Sequence, residues 1–436
     1  MVRSQGAETA IKLGVIVPGS QRILPLPPPK IPSTHLNILY IAQRVPYPPN
    51  RGDKIASFNA VRFLAQRHKV HIAALADSHD EAAFAPELEK LGMIVDVAVR
   101  KPMRARLGAV KAVFTGAPLS VAYYHSDDLA RMIAARAARV KFDVVVIFSS
   151  SMGQYVNLLP NVPLVADFVD LDSRKWELYA SYNSWPRARI YSLEERRLLN
   201  YEREIARKAK VTVVRTEAER DDCKRLIPGA RFEVVSNGVD LDFFRPQGPK
   251  PPSANIVFTG VMDYFPNMQG VEWFCSEILP EVQLNIPGAS FTIVGARPSS
   301  RVIALGQQPG VIVTGQVPDV RPYIQNAAAA VAPLLLARGI QNKVLEAMAM
   351  GTPVVVTRAA FRGVDALEGE GVLPADDAKE FAAKVVQLLN DPAMASRIGK
   401  KGRKLVENRY VWNDQLARLE ALIEEAVPHP RAAWKG

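Results

Sequence analysis

The chain has 436 residues, 48% of them hydrophobic and 23% charged. That is too long for one ordinary α/β core and too apolar for a disordered chain, so two domains are expected. Lys and Arg outnumber Asp and Glu by 55 to 44, and the net charge of +11 favours nucleic acid, phosphorylated sugars or an acidic membrane face without choosing among them.

Cys223 and Cys275 stand far apart with no Cys-x-x-Cys partner, which argues against a disulfide framework, a zinc site or a thiol redox motif and fits a reducing cytoplasm. No run approaches the roughly 18 to 20 apolar residues that span a bilayer, and the N-terminus lacks the regions of a signal peptide. Residues 1–36 read as a proline-rich tail, because Pro25, Pro27, Pro28, Pro29 and Pro32 remove backbone donors.

From Asn37 the pattern changes. Ile38 to Ala42 is an apolar run of strand length, the Pro- and Gly-rich loop 46–53 follows, and Ile55, Phe58, Val61, Phe63 and Leu64 are spaced as a helix face. Val70 to Leu75 is the next strand. Ser78 and Glu81 form a capping box that predicts a helix from near His79 to Gly92, and Met93 to Val99 supplies another strand. Ser126, Asp127 and Asp128 cap a helix whose apolar face is Leu129, Met132, Ile133 and Val140. The run Val144 to Phe148 suits a central parallel strand, and Val162 to Ala166 ends before Asp167-Phe168-Val169-Asp170-Leu171-Asp172. A charged helix over about 190–210 and strands at 211–214 and 232–235 complete a doubly wound sheet over 37–245.

Prolines crowd 246–253, as in an interdomain linker. The same alternation restarts over 254–408, with strands at 256–259, 291–294, 311–314, 329–332 and 353–357. The stretch 393–427 reads as two or more helices, and residues 409–436 are expected to pack back on the first domain.

The most informative segment is Arg338-Gly339-Ile340-Gln341-Asn342-Lys343-Val344-Leu345-Glu346-Ala347-Met348-Ala349-Met350-Gly351-Thr352-Pro353, a loop, a short helix and the start of a strand. Lys343 and Glu346 share a helix face near an N-terminus, where free amides attract an anion. An ammonium neutralises phosphate, and a carboxylate accepts from adjacent ribose hydroxyls. This segment, with Ser236-Asn237-Gly238-Val239-Asp240-Leu241-Asp242-Phe243-Phe244, resembles the group 1 (family 4) retaining glycosyltransferases. The segments 167–176 and 258–267 are similar to the subgroup associated with exosortase-type export and exopolysaccharide loci.

The resemblance implies the GT-B fold, an α/β architecture of two Rossmann-like doubly wound domains facing each other across a cleft. It implies a nucleotide-diphosphate sugar as donor, held mainly by the C-terminal domain, a lipid-linked or growing polysaccharide acceptor held by the N-terminal domain, and closure that excludes water. No metal and no cofactor beyond the donor are implied. Glu346 would hold the ribose, with Lys343, Arg338, Gly339, Ile340, Gly260 and Gly295 around the donor, and Arg51, Gly52 and Asp53 in the phosphate or acceptor loop. Asp53 is equally an N-cap candidate.

Three positions depart from the family pattern. Gly339 stands where the first Glu of the family lies, Val261 follows Gly260 where an Arg is usual, with Asn267 and Met268 near the place of a Lys, and Val169 takes the place of a His. Either Lys343, Arg338 and the amides at Gly260 and Ile340 do the phosphate work instead, or the chain binds without transferring. Asp170 and Asp172 follow a strand end, where α/β sheets place ligand groups. Two roles fit them: contact with or deprotonation of an acceptor hydroxyl, and bonding the loop's own amides.

Residues 100–114 carry five basic residues and no acid, with Met103, Leu107, Val110 and Phe114 at helical spacing. They fit either a basic amphipathic helix on the inner face of the bacterial cytoplasmic membrane or a core-packing helix with a solvated basic side. A dinucleotide oxidoreductase is disfavoured because no Gly-x-Gly-x-x-Gly follows the first strand. A sugar-nucleotide epimerase and a noncatalytic sugar-nucleotide-binding protein remain as rivals. Nucleic-acid binding lacks a module to support it.

Overall fold

The computed structural model describes residues 35–100, 116–248, 251 and 253–428. Most of the proline-rich tail, the basic segment after Arg100 and part of the linker lie outside these. Contacts divide the chain into two units, one gathering Asn237–Trp412 and the other Asp53–Ser236 together with the chain from Asn413 onward.

The N-terminal unit is built on a seven-stranded sheet. Its strands are β1 (Asn37–Ala42), β2 (Lys69–Ala76), β3 (Ile94–Val99), β4 (Val144–Phe148), β5 (Leu164–Val169), β6 (Val211–Val214) and β7 (Phe232–Val234). Their spatial order is β3-β2-β1-β4-β5-β6-β7, and every neighbouring pair is parallel. The C-terminal unit holds β8 (Asn255–Thr259), β9 (Ser290–Val294), β10 (Val311–Gly315), β11 (Ala329–Ala332), β12 (Val354–Thr357) and β13 (Val372–Ala375). These run β10-β9-β8-β11-β12-β13, again all parallel. Both units are therefore Rossmann-like. Each reverses its strand order at one point, between β1 and β4 and between β8 and β11, and ligands bind beyond the carboxyl ends of such switch points.

The central strands are the β-branched runs that sheets covered on both faces require. Every residue of β4 is buried, as is every residue of β11 and β12. Helix starts follow side-chain caps: Ser126 Oγ accepts from the Leu129 amide, Thr216 Oγ1 from Glu219 and Asp377 Oδ1 from Glu380.

Several elements differ from the sequence reading. The capping bond at Ser78 is present, with the Glu81 amide 3.2 Å from Ser78 Oγ, but the helix stops at Ala82 and a second begins at Ala85. Pro86 in that second first turn cannot continue a helix that precedes it. Met132, assigned to an apolar face, is exposed while Leu129 and Ile133 are buried. Strand β5 continues past Ala166 to Val169, so Asp167 and Phe168 are strand residues. Strand β13 was not read at all. It is short, contains Pro374, and lies at a sheet edge, the position where a strand tolerates proline.

The C-terminal helices Pro392–Arg409 and Trp412–Ala426 serve different units. The second belongs with the N-terminal sheet: Glu420 pairs with Arg67 and lies 3.2 Å from His68 Nε2, and Glu425 takes two bonds from Arg231, at 2.6 and 3.0 Å. The first packs against helix Asn342–Ala349 and the neighbouring turns of the C-terminal unit through glycines. A Cβ added at Gly399 would lie 2.1 Å from the Gly351 carbonyl oxygen, and one at Gly371 would lie 2.3 Å from Gly402 Cα. Both contacts join backbone to backbone. Gly399→Ala is thus expected to cost about 1–3 kcal/mol by overpacking, whereas Gly288→Ala, where a Cβ would meet nothing within 4 Å, leaves stability unchanged. Urea unfolding of both variants reads the difference.

Candidate donor and acceptor sites at the two strand edges

In the C-terminal unit, helix Asn342–Ala349 follows a loop off β11. Lys343 lies in its first turn and turns its ammonium inward, 2.6 Å from Asn267 Oδ1 and 4.3 Å from the centroid of Phe258. Asn267 is itself oriented, because its Nδ2 donates to the Val261 carbonyl at 2.8 Å. Burial pushes the Lys343 pKa down from the ordinary lysine range to about 7, and the nearby Glu346 carboxylate opposes that shift.

The surrounding glycines leave room for backbone. A Cβ at Gly260 would stand 2.8 Å from Asn267 Nδ2 and 3.2 Å from Lys343 Nζ, and one at Gly295 would lie 1.6 Å from the Gly260 carbonyl oxygen. Gly295 excludes a side chain outright, whereas one at Gly260 would displace the Asn267 and Lys343 side chains. Gly339 has a φ of +58°, a left-handed conformation that disfavours any other residue, and its carbonyl lies 2.0 Å from where a Cβ on Gly363 would be. The loop's backbone there suits glycine better than a glutamate. Ile340 follows it, half-buried against the C-terminal core, and the Arg338 carbonyl accepts from Gln341 Nε2 at 3.0 Å. Glu346 is half-buried one turn after Lys343.

The Asn237 motif holds this helix from outside. Asn237 Nδ2 donates to Asn342 Oδ1 at 3.0 Å, Asp240 Oδ1 accepts from the amides of Asp242 and Phe243, and Val239 bonds to the Tyr410 carbonyl. At the other end Arg403 donates to the carbonyls of Ala349 and Phe244 at 2.7 and 2.6 Å. That satisfies a terminal carbonyl of helix Asn342–Ala349.

In the N-terminal unit, strain gathers at the ends of β4 and β5. Ser149 has a φ of +82° and Val169 a φ of +65°, which for a β-branched residue is a genuine outlier. Val169 is held by its amide bond to Asp167 Oδ1 and by a bulge between Asp167 and Val169. Asp167 is buried against Arg215, whose Nη2 lies 2.7 Å from its Oδ2.

Asp170 and Asp172 follow. Asp170 Oδ1 is buried without a hydrogen-bond partner. Asp172 is the first residue of helix Asp172–Ser181, and burial raises its carboxyl pKa to about 6, Lys175 opposing and Asp170 reinforcing the shift. Beneath that helix start lies Glu202, which sequence reasoning missed. Its Oε1 accepts from the Ser173 amide at 3.3 Å, and burial first, then Asp172, raises its pKa to about 8. Glu219 likewise accepts from the Leu171 amide at 2.8 Å.

The loop after β1 carries Arg51, Gly52 and Asp53. The helix begins at Gly52, so Asp53 sits in the first turn and is not the N-cap. Its Oδ1 accepts from the Lys54 amide, and its Oδ2 pairs with Arg44 at 3.0 Å. Arg51 is exposed. At Gly52 a Cβ would meet nothing closer than 3.9 Å, so the protein's own packing does not demand glycine there.

Residues 55–243 match the family model described as Glycosyltransferase Family 4, and residues 253–391 match the one described as Glycosyl transferases group 1. Each half of the chain is a glycosyltransferase-family domain. Over 133 residues the chain is 28% identical to the capsular polysaccharide biosynthesis glycosyltransferase CapM of Staphylococcus aureus, a match to 29% of this chain and 35% of that relative's length. Among solved structures, sucrose-phosphate synthase from Thermosynechococcus elongatus aligns with a TM-score of 0.68 at 17% identity over 90% of this chain and 99% of its own. HepE from Anabaena, in complex with UDP, aligns at 0.63 and 15% over 89% and 100%. At these identities the likeness is one of fold, the GT-B class.

The Glu202 carboxyl has a measurable signature. Its folded pKa is raised from 4.5 to about 8, so the folded state holds its proton through that window and stability falls as pH rises towards 8. Between pH 6 and 8, above the range of Asp172, Glu202→Gln is expected to flatten that decline in urea unfolding while preserving the fold.

Proposed function

We propose that this chain transfers a sugar from a nucleotide-diphosphate donor to a lipid-linked or growing exopolysaccharide acceptor, with retention at the anomeric carbon. The observation that carries the reading is the Lys343 ammonium, turned toward Gly260 at the end of β8, with Glu346 one turn further along the same helix. The bond from anomeric carbon to phosphate oxygen breaks, a bond to the acceptor oxygen forms, and the acceptor's proton leaves with the products. The departing diphosphate gathers charge, which Lys343, Arg338 and the amides of Gly260 and Ile340 stabilise. Glu346 accepts from the ribose hydroxyls, and Gly295 keeps the neighbouring backbone free of side chains. Asp170, with its unpartnered oxygen, and Asp172 receive the acceptor hydroxyl, and the loop at Arg51 and Gly52 lets backbone approach the donor.

UDP in the HepE structure supports a nucleotide donor, and the role of CapM in capsular polysaccharide biosynthesis supports a polysaccharide product. The resemblance to the exosortase-associated subgroup points the same way. Placement at the inner face of the cytoplasmic membrane follows from such an acceptor; among the described residues no helix is long and apolar enough to cross a membrane. A noncatalytic sugar-nucleotide-binding protein is the second reading, favoured by Gly339, which stands where the family's first Glu lies and whose left-handed backbone disfavours a side chain.

Titration calorimetry with UDP-, GDP- and ADP-sugars, followed by a diphosphate-release assay with membrane extract, separates these readings. The expected result is tight binding of one nucleotide, lost in Glu346→Ala, with release only when extract is present. Binding without release under any acceptor would favour the noncatalytic reading, and isomerised sugar formed without acceptor would identify an epimerase.

Lys343 adds a second signature. A bound diphosphate favours the ammonium, whereas the free site loses its proton above about 7. Affinity therefore falls as pH rises from 7 to 9, and binding takes up a proton, approaching roughly one at pH 9. Calorimetry in buffers of different ionisation heat reads that uptake, and Lys343→Met abolishes it.

A further inference from the structure

Helices Asp172–Ser181 and Arg187–Lys208 form a hairpin that rises from the end of β5. Its base is firmly seated. Trp176 packs against Tyr179 and Tyr191 with ring centroids 5.9 and 5.5 Å away, and its Nε1 donates to Ser120 Oγ at 3.1 Å. Buried Glu194 accepts from the amides of Leu119 and Ser120 at 2.7 and 2.8 Å.

The tip is built differently. Trp185 is 78% exposed, Tyr182 54%, Ile190 52% and Leu193 45%. Single exposed apolar residues are ordinary, but four within the twelve residues from Tyr182 to Leu193, around one hairpin tip, stand out. Ile190 and Leu193, three apart, share a helix face. Arg187 and Arg189 stand exposed among them, and from Leu178 to Leu193 the chain carries no acidic residue. Exposed Arg196 continues the basic surface one turn on. Aromatic and aliphatic side chains beside unopposed arginines match the two layers of an anionic bilayer surface, its acyl boundary and its phosphates.

We propose that this tip docks on anionic phospholipid, with Trp185, Tyr182, Ile190 and Leu193 entering the headgroup region and Arg187 and Arg189 pairing with lipid phosphates. The ten-residue helix Asp172–Ser181 is about 15 Å long, so a docked tip holds Asp172 roughly that far above the membrane. The inference deepens the reading of a membrane-borne acceptor, and it assigns the contact to this hairpin, where the sequence had suggested residues 100–114.

The test uses the full chain in cosedimentation with vesicles of phosphatidylcholine alone or mixed with phosphatidylglycerol. The wild type is expected to bind the mixed vesicles at least tenfold more tightly, with affinity falling as salt rises. Arg187→Ser with Arg189→Ser should weaken binding roughly twentyfold, and Trp185→Ser with Ile190→Ser by at least tenfold. Nucleotide binding by calorimetry should stay unchanged in both, so loss of docking is told apart from loss of the donor site. Wild-type vesicle binding by both double variants, or no binding by the wild type, would overturn the proposal. So would concentration-dependent self-association in sedimentation velocity that the Trp185→Ser with Ile190→Ser variant abolishes, since the tip would then be a protein contact.

Discussion

A parallel sheet covered on both faces has no polar surface of its own, and that constraint organises this chain. Strands such as β4, β11 and β12 are buried along their whole length and carry no charged residue, so charged groups gather mainly where such strands end. At those carboxyl edges stand Gly260, the loop to Lys343, the Val169 outlier and the carboxyls at Asp170 and Asp172. The interior fixes the edges, and the candidate site residues stand on them.

Within each unit the charged groups are held at some energetic disadvantage. The Lys343 ammonium is desolvated with an amide oxygen, an aromatic face and one nearby carboxylate in place of water, which explains its readiness to lose a proton. On the N-terminal side burial pushes up the carboxyls of Asp172 and Glu202, helped by Asp170 at the first and by Asp172 at the second. Such arrangements gather where function needs them, although ion-pair networks that only support structure shift pKa values too.

Much of the fold was legible because its signals are local. Val144 to Phe148 reads as a buried strand from five residues, and Ser126 announces a helix through one side chain. The misreadings arose where a distant partner overrides local character. Asp167 looks like a loop residue until Arg215, 48 positions later, pairs with it inside the sheet. Glu202 sits in a helix rich in charge, where a buried glutamate is indistinguishable from a solvated one; only the Ser173 amide, 29 positions earlier, sets it apart. Of the candidate site, Lys343 and Glu346 were visible from their spacing. Asn267 was noticed only as a place where a lysine was missing, and its part in holding the Lys343 ammonium needed the fold.

The seam between Gly399 and Gly351, and between Gly371 and Gly402, joins main chain to main chain beside the C-terminal end of the Lys343 helix. Side chains in a packed interface can change rotamer and absorb a neighbour's substitution; main-chain atoms in contact have no such latitude. The helix consequently stands on a footing that cannot drift as surrounding residues change. A lineage adapting this scaffold to another sugar would be expected to leave that footing alone and to vary the loop from Pro333 to Gln341 ahead of it, so that new specificities arise without re-siting the cation.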